Sequence, residues 1–156
     1  MWATLLLVGL TAALGAEWLG LLHASARGAT REEILPHTRP WAIAIVVTLA
    51  LTFAWTGGES FAHHLRLRRQ LALGLADPVV ANRLLLWALS AFATVVVCAV
   101  LAACMRAGLA PLRHPLPLAL IGVAALSASS CWTLAFLPPD GYLEAVRRRS
   151  AERTAR

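Results

Sequence analysis

Apolar residues fill four long stretches of this chain, Trp2 to Leu22, Trp41 to Thr56, Leu84 to Met105 and Leu116 to Leu137, and the charged residues gather between and after them. Crossing a hydrocarbon core of roughly 30 Å takes about 20 mostly apolar residues of α-helix. The pattern therefore predicts membrane-spanning helices over 2–22, 84–105 and 116–137. The remaining stretch, 41–56, is shorter. It needs either a thinned bilayer or continuation through Phe61 towards the interface. The predicted fold class is all-α: a polytopic four-transmembrane-helix bundle over residues 1–137, followed by a basic tail over 138–156.

Turn-forming residues sharpen these boundaries. Pro36 and Pro40 bracket the start of the second helix, and Gly57-Gly58 closes its strongly apolar part. From Glu59 to Leu75, Phe61, Leu65, Leu71, Leu73 and Leu75 are interleaved with His63, His64, Arg66, Arg68, Arg69 and Gln70. That mixture predicts an interfacial amphipathic helix between helices 2 and 3, with its arginines on anionic inner-leaflet headgroups. Asp77-Pro78 then reads as an N-cap followed by proline at the first helical position. Pro138-Pro139 ends the fourth span, Asp140-Gly141 supplies a turn, and a short basic helix is expected from Tyr142 onward.

Composition agrees with this pattern. A chain of 156 residues that is 59% hydrophobic, with mean hydropathy +0.68, has too much apolar surface to hide inside a small soluble fold. Its net charge of +6 would suit nucleic acid in a soluble protein. Here the basic residues instead obey the positive-inside rule, so no nucleic-acid partner is expected. Arg66, Arg68, Arg69 and Arg83 separate the second and third stretches, and Arg147, Arg148, Arg149, Arg153 and Arg156 follow the fourth. Both segments are expected on the cytoplasmic side. Arg27, Arg31, Arg39, Arg106 and Arg113 form a smaller set on the other side, partly balanced by Glu32 and Glu33. Tryptophan supports the same threading, with Trp2, Trp55, Trp87 and Trp132 near one predicted surface and Trp18 and Trp41 near the other. All 14 basic residues are Arg, a bias that fits a GC-rich bacterial genome. The expected location is the bacterial inner membrane, multi-pass, with N- and C-termini cytoplasmic.

The N-terminal stretch also has features of a secretory signal, since Ala13 and Gly15 would suit a small-residue cleavage site. No positive residue precedes the stretch, however, and it continues past Glu17 to Leu22. It therefore reads as a signal anchor and first membrane helix.

Candidate chemistry is sparse. Glu17 is the ionisable group lying within a span, about 8 Å from its outer end by helical rise, where Arg39 or Arg106 would pair with it. A proton or cation relay needs further carboxylates or histidines at successive depths, and the other spans supply none. Asp77, Asn82 and Arg83 would form a polar cluster at the inner mouth of the bundle, although capping and snorkelling explain the same residues. His23, His37, His63 and His64 are candidate haem or pigment ligands, all near the ends of spans like His114. No cofactor and no metal are expected. Cys98, Cys104 and Cys131 lie in predicted spans without a CxxC pair and read as small buried hydrophobes. Ser129, Ser130, Cys131 and Thr133 have no acid or histidine at a catalytic spacing, and P-loop, GxGxxG and HExxH motifs do not occur, so no enzyme is expected.

Small residues recur on two helical faces, Gly9, Ala13, Ala16 and Gly20 on the first helix and Gly122, Ala125, Ser129 and Thr133 on the fourth. Such stripes allow close helix packing in lipid, and packing within the chain is the first expectation. The run Leu73-Gly74-Leu75-Ala76-Asp77-Pro78-Val79-Val80-Ala81-Asn82-Arg83-Leu84-Leu85-Leu86-Trp87, after an Arg-rich stretch, resembles a segment in the later part of uncharacterised bacterial multi-span membrane modules, some of them sensory. The resemblance implies a membrane location and carries no ligand; with no output domain after the fourth stretch, signalling would need a separate partner. The expected function is a non-enzymatic accessory or scaffolding subunit of a larger bacterial membrane complex, with other membrane subunits as partners. The alternatives are a small sensor or transport-type protein using Glu17 and the polar face of the fourth helix, and a haem- or pigment-binding subunit.

Overall fold

The computed structural model describes residues 2–28, 31–71 and 73–154. Among them the secondary structure is helical: α1 (Trp2–Ala26), α2 (Arg31–Leu71), α3 (Pro78–Ala107), a 3-10 turn (Pro111–Arg113), α4 (Pro115–Phe136) and α5 (Asp140–Thr154). Three of these helices contain described stretches long and apolar enough to cross a membrane: Thr38–Leu71 within α2, and all of α3 and α4. The chain forms two compact units, Met1–Thr52 with Val95–Gly122 and Phe53–Thr94 with Val123–Arg156.

The second helix departs from the expected pattern. Gly57-Gly58 does not end it, and residues 59–71, expected to form a separate interfacial helix, are the last turns of α2. Close packing explains why glycine is tolerated in the helix interior at Gly57. A Cβ there would meet the Ala91 Cβ and Phe92 Cε1 at 3.1 Å, so the missing side chain lets α2 approach α3. The helix continues past Phe61 to Leu71, and its stretch Thr38–Leu71 is long and apolar enough to cross a membrane. At the other end, Pro36 and Pro40 lie inside α2 rather than outside it. Each removes one backbone donor without ending the helix.

Glycine closes two helices in the conformation that other residues resist. Gly108 has φ 69°, with Leu109 N–H donating to the Cys104 carbonyl at 2.9 Å and Gly108 N–H to that of Met105 at 3.3 Å. Gly74 (φ 70°) repeats the arrangement after α2: Leu75 N–H reaches the Gln70 carbonyl at 3.0 Å and Gly74 N–H that of Leu71 at 3.1 Å. In both, the last helical carbonyls gain partners that a straight continuation would deny them.

In the first unit, the Arg39 guanidinium donates to the Arg106 carbonyl at 2.6 Å and so ties α2 to the C-terminal turn of α3. That turn concentrates free carbonyls and the negative end of the helix dipole, which favours a cation. Cys98 and Cys104 are buried there as unpaired thiols. In the second unit the buried positions are mostly small: Ser60, Ala81, Ala88, Ser90, Ala91, Ala124 and Ala135, together with Leu86 and His64. Small side chains let helix backbones approach closely, the packing mode that works where lipid cancels the hydrophobic drive between helices. Large apolar residues such as Leu51, Trp55, Val96, Val123 and Leu126 are exposed. Such a distribution suits a surface solvated by lipid or by other helices.

Candidate functional site

The polar groups that the sequence placed together, Asp77, Asn82 and Arg83, all lie on the first turns of α3 or just before it, and each has a different task. Asp77 Oδ1 accepts from Val79 N–H at 2.8 Å, and Pro78 follows as the first helical residue, so the expected cap is formed. Asn82 Nδ2 donates to Tyr142 Oη at 2.6 Å, which fastens α5 to α3. Among the described residues Arg83 makes no ion pair or hydrogen bond through its guanidinium, and it is exposed.

His64 completes this end of the unit. It is buried on α2, and its Nδ1 lies 2.7 Å from the Ala81 carbonyl oxygen. A carbonyl can only accept, so Nδ1 carries the proton and donates. The histidine thus joins α2 to α3 one residue before Asn82, and its ring stacks on Phe61 with centroids 6.2 Å apart. Beside these polar groups, Trp87, Phe136 and Trp132 form a contiguous aromatic wall, with centroids 5.7 Å apart for Trp87–Phe136 and 4.9 Å for Trp132–Phe136. Val80, Arg83, Leu84, Trp87, Ala135 and Phe136 line a recess of about 170 Å³.

Asp77, Asn82 and Arg83 are neighbours along the chain with separate contacts, and the sequence alone did not point to the partners His64 and Tyr142. A signal for His64 exists. Gly57, Ser60 and His64 are spaced three and four apart, and all three are buried along one face of α2. Tyr142 had no such signal, because its partner lies 60 positions earlier.

The remaining candidates are dispersed. His23 is exposed on α1, His63 is exposed beside buried His64, and His114 is exposed after the 3-10 turn. Among the described residues no group of three His, Cys, Asp or Glu could hold a metal ion. The side chains of Glu17, Ala13 and His37 lie outside the described residues. Arg39, one of the two partners expected for Glu17, holds the Arg106 carbonyl.

Among the described residues, the small residues of the two stripes show little packing within the chain. A Cβ added at Gly9, Gly20 or Gly122 would meet nothing within 4 Å. Ala125, Ser129 and Thr133 are exposed, and Ala16 is half-buried. On α4 the internally packed face is a different one, carrying Ala124 and Ala135. Thr133 Oγ1 turns back to the Ser129 carbonyl at 3.0 Å and Ser127 Oγ to that of Val123 at 2.8 Å, so these hydroxyls are satisfied within their own helix.

No protein-family model, curated protein or solved structure matches this chain.

Proposed function

We propose that this chain is a non-enzymatic integral membrane subunit that assembles with other membrane proteins, as an accessory or scaffolding component of a larger bacterial complex. In this reading α1 to α4 each cross the inner membrane as a four-helix bundle, with both termini cytoplasmic. The arginine-bearing turns of α2 over 59–71, followed by α5, meet the anionic inner headgroup layer.

The observation that carries the reading is the unused small-residue face of α4. Gly122, Ala125, Ser129 and Thr133 offer a surface on which a helix backbone could approach closely, and among the described residues the buried positions of α4, Ala124 and Ala135, lie on another face. In lipid such a face has little value unless another helix occupies it. The test is affinity isolation of the tagged chain from its own membranes in a mild detergent. Other membrane subunits in fixed proportion are expected, and their recovery should fall when Ser129 and Thr133 are both replaced by Leu. Isolation as a free monomer, with an identical profile for the S129L/T133L variant, would overturn the proposal.

A further inference from the structure

The recess between α3 and α4 combines one charge with an apolar wall. Arg83 is its single charged lining residue; Val80, Leu84, Trp87, Ala135 and Phe136 supply the rest. Among the described residues the Arg83 guanidinium has no anionic partner within the chain. Along α3, no charged residue follows Arg83 until Arg106, a separation of roughly 35 Å by helical rise. Along α4, none lies between Arg113 and Asp140, and Phe136 stands one turn before that aspartate. Both helices therefore bring the boundary between charged and uncharged sequence to the same recess, the depth at which phosphate gives way to acyl chain in a bilayer.

The volume fits a short apolar segment. An apolar cavity of about 150 Å³ holds a guest the size of benzene, and this recess has about 170 Å³. Trp87 and Phe136 are each about half exposed, so the recess opens to its surroundings rather than closing over a water-filled void.

We propose that this recess binds an anionic phospholipid of the surrounding bilayer, with the phosphate on Arg83 and the first methylenes of one acyl chain between Trp87 and Phe136. The guanidinium supplies a planar, permanently charged fork suited to phosphate oxygens. The aromatic wall supplies the apolar half of the site. The tyrosine bound to Asn82 lies on α5, so the same end of α3 that presents Arg83 is braced by a second helix. Arg147, Arg148 and Arg149 on α5 are exposed, and Arg148 is paired with Glu152 at 3.2 Å; they contribute a diffuse field rather than a lined site.

The proposal rests on the reading that α3 crosses a bilayer, and the test separates the two. Native mass spectrometry of the full chain in neutral detergent, titrated with phosphatidylglycerol and with phosphatidylcholine of matched chains, should show preferential phosphatidylglycerol adducts. That preference should fall about fivefold or more in R83Q, the weight of one arginine near an anionic surface. It should survive in the R147Q/R148Q/R149Q variant. Phosphatidylglycerol with brominated chains should quench wild-type tryptophan fluorescence more than that of W87F. An unchanged preference in R83Q, loss of preference in the triple variant, or displacement of the lipid by glycerol phosphate alone would each overturn the lipid site. Release of the chain from membranes by alkaline carbonate would instead overturn the spanning of α3. Arg83 is exposed and without an internal partner, so R83Q should keep the fold, verified by its near-UV circular dichroism.

Discussion

α3 and α4 both have the length and apolarity to cross a membrane, yet 28% of the apolar window of α3 is buried against 11% for α4. Hydropathy alone does not explain the difference in burial, since it says where a helix can lie and not which face meets another helix. On α3 the small residues Ala81, Ala88, Ser90 and Ala91 are buried. On α4 the small residues of the stripe point away from the packed face, leaving Ala124 and Ala135 as the buried positions. Small side chains allow close approach; the surrounding helices determine whether it happens inside the chain.

The sharpest way to break this comparison is to enlarge one small residue on each helix. Ala88 is fully enclosed, so Ala88→Leu should destabilise the chain by about 1–3 kcal/mol through overpacking. Ala125→Leu on the exposed α4 stripe should stay within about 0.5 kcal/mol of the parent in the isolated chain. Unfolding by denaturing detergent measures both, and equal losses would erase the proposed distinction between the two faces.

Adjacent glycines on α2 give the next contrast. Gly57→Ala pushes a methyl against Ala91 and Phe92 and should cost about 1 kcal/mol. Gly58→Ala meets nothing within 4 Å and should stabilise by about 0.5–1 kcal/mol through the better helix propensity of alanine. The same unfolding measurement should therefore show opposite signs for neighbouring positions.

Smaller effects are expected at the polar joints of α3. His64→Phe deletes the donor to the Ala81 carbonyl and should lower stability by about 1 kcal/mol, with faster amide exchange in the turns of α2 around it. Tyr142→Phe removes the acceptor for Asn82 at a cost of about 0.5–1.5 kcal/mol or less. Its clearest sign should be earlier proteolytic cutting within α5, while the fragmentation of α3 stays unchanged.

Much of the helical plan was legible because it depends on local patterns. The uncharged stretch at 84–105 falls within α3, that at 116–137 matches α4 except for Leu137 just past its end, and Asp77-Pro78 begins α3 as its capping chemistry requires. Gly57 misled the reading because a glycine that ends a helix and one that admits a neighbouring helix look alike in sequence. The neighbours that decide the matter, Ala91 and Phe92, lie more than 30 positions away. The same limit hid Tyr142. Arg83 could be placed at a helix end from sequence, but its recess depends on Ala135 and Phe136, brought alongside α3 only by the fold.

One consequence follows from which ring nitrogen of His64 faces Ala81. Because Nδ1 donates, the neutral ring keeps its lone pair at Nε2, so the other nitrogen is the one left able to accept a bond, whereas a ring with the opposite tautomer could not hold the Ala81 carbonyl at all.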